Sequence, residues 1–142
     1  MNVSVEAVPW QTHEAKLRDV RQRVFTVEQG VPAEIEVDGT DPSCVHFIAH
    51  DERGIALGTA RLMPTGQIGR IAVLQEHRKH GIGRRLLDMA IAEARRRDMA
   101  HIFLHAQSHA RGFYEKSGFT AHGDEFEEAG IPHVEMTLRG RR

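Results

Sequence analysis

Arg78-Lys79-His80-Gly81-Ile82-Gly83 is the stretch on which the reading of this chain turns. Before it, Ile68-Gly69-Arg70-Ile71-Ala72-Val73-Leu74 reads as a strand. After it, Ile82, Leu86, Ala90 and Ala94 recur four apart with Leu87 and Ile91 beside them, a spacing that predicts a helix over 81–97. A turn poor in side-chain bulk therefore opens a helix whose first N–H groups lack intrahelical partners. Those donors, with the positive end of the helix dipole, form a receptor for a phosphate or pyrophosphate. Gly81 and Gly83 let an anion approach the backbone, and Arg78, Lys79 and Arg84 add positive charge around His80 and Ile82.

The pattern narrows the ligand. A Walker-type loop needs Lys-Ser/Thr after its last glycine, whereas Gly83 is followed by Arg84-Arg85. A dinucleotide fingerprint needs three glycines and an acidic residue about 20 positions on. Here there are two glycines, and that region reads Met99-Ala100-His101. Arg78-x-x-Gly81-x-Gly83 behind a strand instead resembles the acetyl-CoA signature of the GNAT N-acetyltransferase superfamily, Q/R-x-x-G-x-G/A. Gln107 to Phe119, with Phe113-Tyr114-Glu115-Lys116-x-Gly118-Phe119, resembles that superfamily's second landmark, in its order and at its usual distance. Val24-Phe25-x-Val27-Glu28-Gln29 and Glu128-x-Gly130-Ile131-Pro132-His133 are similar to segments of the YjcF/ElaA-like branch of small bacterial GNAT proteins. The resemblance spans essentially the whole chain.

Length and composition agree with one soluble domain over residues 1–142: 40% hydrophobic and 27% charged residues are ordinary for a globular chain. A net charge of −1 argues against bulk nucleic-acid binding. No apolar run reaches membrane-spanning length, no signal-peptide pattern opens the chain, and the lone Cys44 fits a reducing compartment, so the expected location is cytoplasmic. The pattern of elements is a strand over 3–8 and a helix from an N-cap at Thr12 to near Gly30, with Leu17, Val20, Val24 and Val27 as its stripe. The acidic segment over 34–41 has no clear period and reads as a loop or short helix. Strands follow over 45–50, 55–63 and 67–74, then the long helix, a strand over 101–106, a helix over 108–117, and strands over 119–123 and 133–138. This order gives an α+β class. The resemblance specifies the GNAT fold, a mixed, mostly antiparallel sheet splayed at its centre with helices packed on both faces.

The resemblance implies an activity, an N-acetyltransferase that passes the acetyl group of acetyl-CoA directly to a primary amine, with a non-catalytic acetyl-CoA sensor as the alternative. It implies a cofactor site built from the backbone of Ile71, Ala72 and Val73, the loop Arg78, Lys79, His80, Gly81, Ile82, Gly83 and Arg84, and the amide of Gln107. The Val73 N–H is the expected donor to the thioester oxygen. Tyr114, the only tyrosine of the chain, is the expected acid for the departing thiolate. Glu28 leads a field of candidate bases that includes Glu34, Glu36, His46 and His105. Ten histidines raise the question of a metal, but the pairs His46/His50 and His101/His105 have no nearby cysteine or dense carboxylate set, and no metal is expected. Cys44 and His46 imitate a nucleophile–base pair; a lone cysteine is more often a small buried hydrophobe, and direct transfer is expected. The acidic runs Glu34, Glu36, Asp38, Asp41 and Asp124, Glu125, Glu127, Glu128 suggest a negative rim that steers a cationic acceptor, a small-molecule amine or a lysine side chain. Nucleic acid and membrane are not expected partners, and a homodimer is allowed.

Overall fold

A computed structural model describes residues 2–138. Seven strands form one sheet in the order β1-β2-β3-β4-β5-β7-β6. They are β1 Ser4–Val8, β2 Val45–His50, β3 Ala56–Leu62, β4 Gln67–Val73, β5 Phe103–Gln107, β6 Phe119–Glu128 and β7 Ile131–Leu138. All neighbours are antiparallel except β4 and β5. The mixed sheet with helices on both faces is the expected α+β architecture. Helix α3 (Ile82–Arg96) buries Ile82, Leu86, Leu87, Ala90, Ile91 and Ala94 against one face, where they meet Phe47, Leu57, Leu104 and Met136. Helix α1 (Trp10–Arg21) covers the other face beside β2–β4, packing Leu17 on Ile48 and Val20 on Ala72 and Leu74.

Several boundaries differ from those read in the sequence, for local reasons. Pro9 rather than Thr12 caps α1, and the Thr12 hydroxyl donates back to the Pro9 carbonyl. After Arg21 the winding widens to a π-type segment over Gln22–Glu28, with the Gln29 N–H reaching the Val24 carbonyl five residues back. The wider turn takes Val27 off the apolar stripe, and it is 74% exposed. The acidic segment contains a short helix, α2 (Ala33–Glu36), and the expected 108–117 helix is a 3₁₀ turn followed by α4 (Arg111–Glu115). Strand β6 runs five residues beyond its expected end and turns into β7 through Ala129-Gly130, both at positive φ (53° and 76°) as a two-residue type I′ hairpin requires.

Strand β4 changes face midway. Ile68 lies in the α3 core, and period-two alternation would put Ala72 beside it. Ala72 instead packs with Val20 and Val24 on the α1 side, while Ile71 and Val73 lean on the α3 core. The inversion comes from an irregularity between Thr59 and Arg61 of the β3 pairing, opposite which Arg70 adopts φ +50°. One extra residue in β4 bends the strand and exchanges its faces.

A buried ionic network holds that bulge. Arg21, 1% exposed, donates to Glu36 at 2.6 and 2.8 Å and to Asp41 at 2.9 Å. Arg61 bridges Asp41 (3.1 Å) and Asp38 (3.0 Å), and Arg70 donates to the Glu36 carboxylate (2.8 Å) and carbonyl (2.9 Å). Three guanidinium groups thus meet three carboxylates. His46 donates its Nε2–H to the Asp41 carbonyl at 2.9 Å and lies 4.8 Å from the Trp10 ring; burial pushes its pKa down, keeping it neutral. Burial is the largest single influence on Asp38 and Asp41 and would raise their pKa values, but the hydrogen bonds and charges of Arg61 on Asp38, with Thr40 donating as well, and of Arg21 and Arg61 on Asp41 together hold both below the ordinary carboxylate range.

Arg21→Met should destabilise the fold by about 3–5 kcal/mol, because it leaves two buried carboxylates short of a partner. Arg18→Gln, which removes only the exposed pair with Glu14, should change stability by less than about 0.5 kcal/mol. Because Asp38 and Asp41 have depressed folded pKa values, their stabilisation is fully present above the unfolded value near ~4 and is lost as pH falls below it. Urea unfolding across a pH series checks both statements, with the acid-side loss expected to be smaller in Arg21→Met.

Candidate active site

The sheet opens between β4 and β5. The two strands pair at only two positions, Gln67 with Phe103 and Ile68 with Leu104, and beyond them β4 stays with β3 while β5 stays with β7. The gap leaves backbone groups of β4 without a strand partner. Leu74 N–H donates to the Leu57 carbonyl, and in an antiparallel ladder such bonded positions alternate with non-bonded ones. Val73, paired with Gly58 in the next position, therefore turns its N–H and C=O away from β3 and toward the gap. The Val73 carbonyl accepts the Arg78 Nε–H at 2.9 Å, in keeping with that direction.

The glycine loop stands at the upper end of the gap. Gly81 is the N-cap of α3 at φ +78°, a conformation that suits a residue without Cβ, and no side chain caps the helix. The first turn of α3 carries no acidic residue. Ile82 is buried and anchors the turn, so its backbone rather than its side chain faces the loop. A Cβ on Gly83 would meet Phe113 at 3.6 Å and Val73 at 3.7 Å, so Gly83 lies where α3, α4 and β4 converge. Uncapped N–H donors, no opposing carboxylate in that turn and backbone reachable without side-chain bulk fit a pyrophosphate. Lys79 and His80 are exposed beside the loop; Arg84 pairs with Asp88 (3.2 Å) and Arg85 reaches the Val3 carbonyl (2.9 Å).

Arg78 is directed elsewhere than the sequence suggests. Its two terminal nitrogens each donate to Glu28 at 2.6 Å, a bidentate pair that fastens the end of the π-type segment to the end of β4. The hydrogen bond from Arg78 is the main reason that Glu28 titrates below the usual range, which makes it a poorer proton acceptor than a free carboxylate. Gln107 is also engaged: its Nε2–H donates to Gln29 Oε1 at 2.9 Å across the gap, and its Oε1 accepts from His109 at 2.7 Å.

Tyr114 on α4 packs edge-on against Phe113 and Phe119 beside the α3 core. Burial pushes its pKa up to about 12, so the phenol stays protonated at neutral pH. Cys44 and His46 do not form a reactive pair. The Cys44 thiol points at the Thr40 carbonyl (3.3 Å) with its pKa raised by burial, while His46 is committed to Asp41. The first half of the expected acidic rim is depleted: Glu36 and Asp41 are buried against arginines, and the more exposed Asp38 is paired with Arg61 and Arg70.

One further group of residues faces the α1 side of the sheet next to the gap. Leu104, Ala106, Val134 and Met136 belong to the α3 core, so the alternate residues Phe103, His105 and Gln107 of β5 and His133 and Glu135 of β7 share the opposite face. Phe126 and Glu128 of β6 extend that surface. Sequence reading included His105, Glu128 and the alternation of His101 with His105, but not Glu135 or Phe126, because the hairpin register that brings them alongside is not written in either strand. Among the described residues no three histidine, cysteine or carboxylate groups are placed to hold a metal ion.

A sheet splayed at its centre, with an uncapped helix N-terminus above the gap, defines an acyl-CoA transferase fold, and the comparisons agree. The acetyltransferase (GNAT) domain family matches residues 12–139, and the chain belongs to that family. It is 35% identical over 130 residues to the uncharacterised N-acetyltransferase YjcF of Bacillus subtilis, covering 87% of this chain and 93% of that one. The crystal structure of an acyl-CoA N-acyltransferase from Pseudomonas aeruginosa superposes with a TM-score of 0.85 at 28% identity, covering 97% of this chain and all of that one. Escherichia coli ElaA shares the fold with a TM-score of 0.85 at 24% identity, over 96% and 99% of the two chains.

Acetyl-CoA should raise the melting temperature in proportion to the logarithm of its concentration above Kd, by several degrees at saturation. Gly83→Asp places a carboxylate in the cradle while meeting only ordinary contacts, and an acidic residue suits a helix N-terminus, so the free protein should stay folded. Scanning calorimetry should show the acetyl-CoA shift lost in this variant; an undiminished shift would exclude the loop as the pyrophosphate site.

Proposed function

We propose that this protein transfers the acetyl group of acetyl-CoA directly to the nitrogen of a primary amine. The observation that carries the reading is the position of the Val73 N–H, turned into the gap between β4 and β5 beside the uncapped N-terminus of α3. Acetyl-CoA, when bound, supplies an activated thioester carbonyl. Gly81, Ile82, Gly83 and Arg84 offer backbone N–H groups to its pyrophosphate, with Lys79 and His80 flanking. Ile71, Ala72 and Val73 offer the free edge of β4 to its extended arm, in the manner of an added strand. The Val73 N–H stabilises negative charge on the carbonyl oxygen. Tyr114 donates its proton to the departing sulfur, a role that suits a phenol held neutral by burial. Gln107 borders the arm and, through Gln29, fixes the width of the opening.

Arg78 and Glu28 act as a clamp in this reading. Their bidentate pair sets the distance between the end of β4 and the segment after α1, and so the shape of the acceptor entrance. Direct transfer is favoured over an acyl-enzyme route because burial keeps the Cys44 thiol protonated and no base is aimed at it. The acceptor class follows from the exposed face of β5 and β7, which presents carboxylates and imidazoles rather than arginines. A cationic amine suits that face better than an acidic one.

Thiol release from acetyl-CoA should be stimulated by basic primary amines in a panel spanning polyamines, aminosugars, arylamines, amino acids and lysine peptides. No stimulation by any amine, with the acetyl-CoA melting shift intact, would turn the reading into that of a non-catalytic sensor. Tyr114→Phe keeps the ring between Phe113 and Phe119 but removes the acid. It should lower turnover by a factor of about 10²–10⁴ with little change in acetyl-CoA affinity, and unaltered turnover would make the phenol structural.

A further inference from the structure

We propose that His105 is the base that takes the proton from the acceptor's ammonium group, with Glu128 fixing its tautomer and Glu135 holding the ammonium. This rests on the transfer reading above and names the residues on its acceptor side.

The geometry begins at the first position of β5 without a β4 partner. Phe103 and Leu104 are the last paired residues, so His105 stands at the base of the gap, and its side chain lies on the face opposite the α3 core. Its Nδ1 is 2.7 Å from Glu128 Oε1. A carboxylate only accepts, so Nδ1 carries the hydrogen and donates it, which leaves Nε2 as a free lone pair. That lone pair faces Glu135 Oε2 at 3.8 Å. Two acceptors are therefore turned toward each other, too far apart for a bond and with no donor between them. An ammonium group satisfies both: one N–H toward Nε2, another toward the carboxylate. Phe126 meets the imidazole edge-on at 5.2 Å and limits its rotation. The His105 side chain is about a quarter exposed, so a substrate reaches it and a proton leaves it.

The other charged groups nearby support one direction of transfer. From β7, His133 donates Nδ1–H to the Ile131 carbonyl (2.7 Å) and presents Nε2 to Glu128 Oε2 at 3.8 Å. From β4, Arg70 is consumed by Glu36 and Asp38. From β6 and β7 come Glu128 and Glu135 themselves. The pair Glu128 and His105 thus has the arrangement by which a carboxylate orients an imidazole base and stabilises the imidazolium that forms.

The step balances as follows. The ammonium gives one proton to His105 Nε2, and the freed nitrogen lone pair forms the bond to the thioester carbonyl carbon. As the C–S bond breaks, the sulfur takes a proton from Tyr114, which regains one from the newly bonded nitrogen. The products are the amide, CoA thiol and one proton, which passes from His105 to water.

The test uses the full chain, acetyl-CoA and the most active amine of the panel. His105→Asn should lower kcat by at least about a hundredfold and remove the acid limb of the pH–rate profile, with the acetyl-CoA melting shift unchanged. Glu128→Ala removes the acceptor that holds Nδ1–H, so turnover should fall, though less than in His105→Asn, and the imidazole nitrogen NMR shifts should lose the Nδ1–H signature. Glu135→Gln should raise KM for the amine more than it lowers kcat. A His105→Asn enzyme with the rate and profile of the parent would overturn the proposal, as would a Glu128→Ala enzyme with the turnover and imidazole tautomer of the parent. If no amine reacts, the transfer reading itself fails. The His105 assignment is then judged by its imidazole nitrogen NMR shifts, which must report the Nδ1–H tautomer in the parent and lose it in Glu128→Ala; an Nε2–H tautomer in the parent refutes it.

Discussion

The bulge at Arg70 is the constraint from which the remainder of this structure follows. A non-glycine residue in the left-handed region costs on the order of 1–3 kcal/mol and persists only where the surroundings fix it. Here Glu36 and Asp38 grip the Arg70 guanidinium, while Arg21 and Arg61 hold those carboxylates in turn. The network ties α1, the acidic segment, β3 and β4 into one unit. Its consequence is geometric: β4 exchanges its faces, bends away from β5 after two paired positions, and leaves the Val73 backbone facing an open gap. A regular β4 would continue pairing with β5 and close the site.

The same network decides the electrostatics of the opening. In the first acidic run, Glu36 and Asp41 are buried against arginines and Asp38 is paired with two of them, so long-range attraction of a cation owes little to these three. What remains near the gap is short-range and directional: Arg78 on Glu28, Gln29 on Gln107, and the His105–Glu128–Glu135 group on the far side. These are a few placed hydrogen-bonding atoms, set in a chain whose net charge is close to zero. The glycine turn and the free edge of β4 differ in offering backbone N–H groups, whose direction is set by helix and strand geometry.

That division explains how much was legible in advance. The α3 stripe, the glycines before it, and Phe113-Tyr114 with Gly118 are local patterns, and the elements they announce stand where the periodicity put them, apart from a short 3₁₀ start to the 108–117 helix. Val27 was misplaced because a π-type segment has no distinguishing residue code; its widening becomes visible only through hydrogen bonds five residues apart. The full length of β6 was missed because its distal half is charged and exposed, with no apolar alternation, and is held by its pairing with β7.

The sequence by itself determined the class of fold, the glycine turn that opens α3 and the motifs that resemble the acetyltransferase family, because each is written in neighbouring residues through period and glycine placement. Only the tertiary structure decided which charged side chains meet. Glu36 is spent inside the fold, Arg78 closes on Glu28 fifty positions away, and His105 gains Glu128 and Glu135 from a hairpin folded back beside it. Whether a carboxylate is a base, a clamp or a buried counter-ion depends on which cation stands within hydrogen-bond reach. That distance is set by sheet register and by the bulge, neither of which any short stretch of sequence encodes.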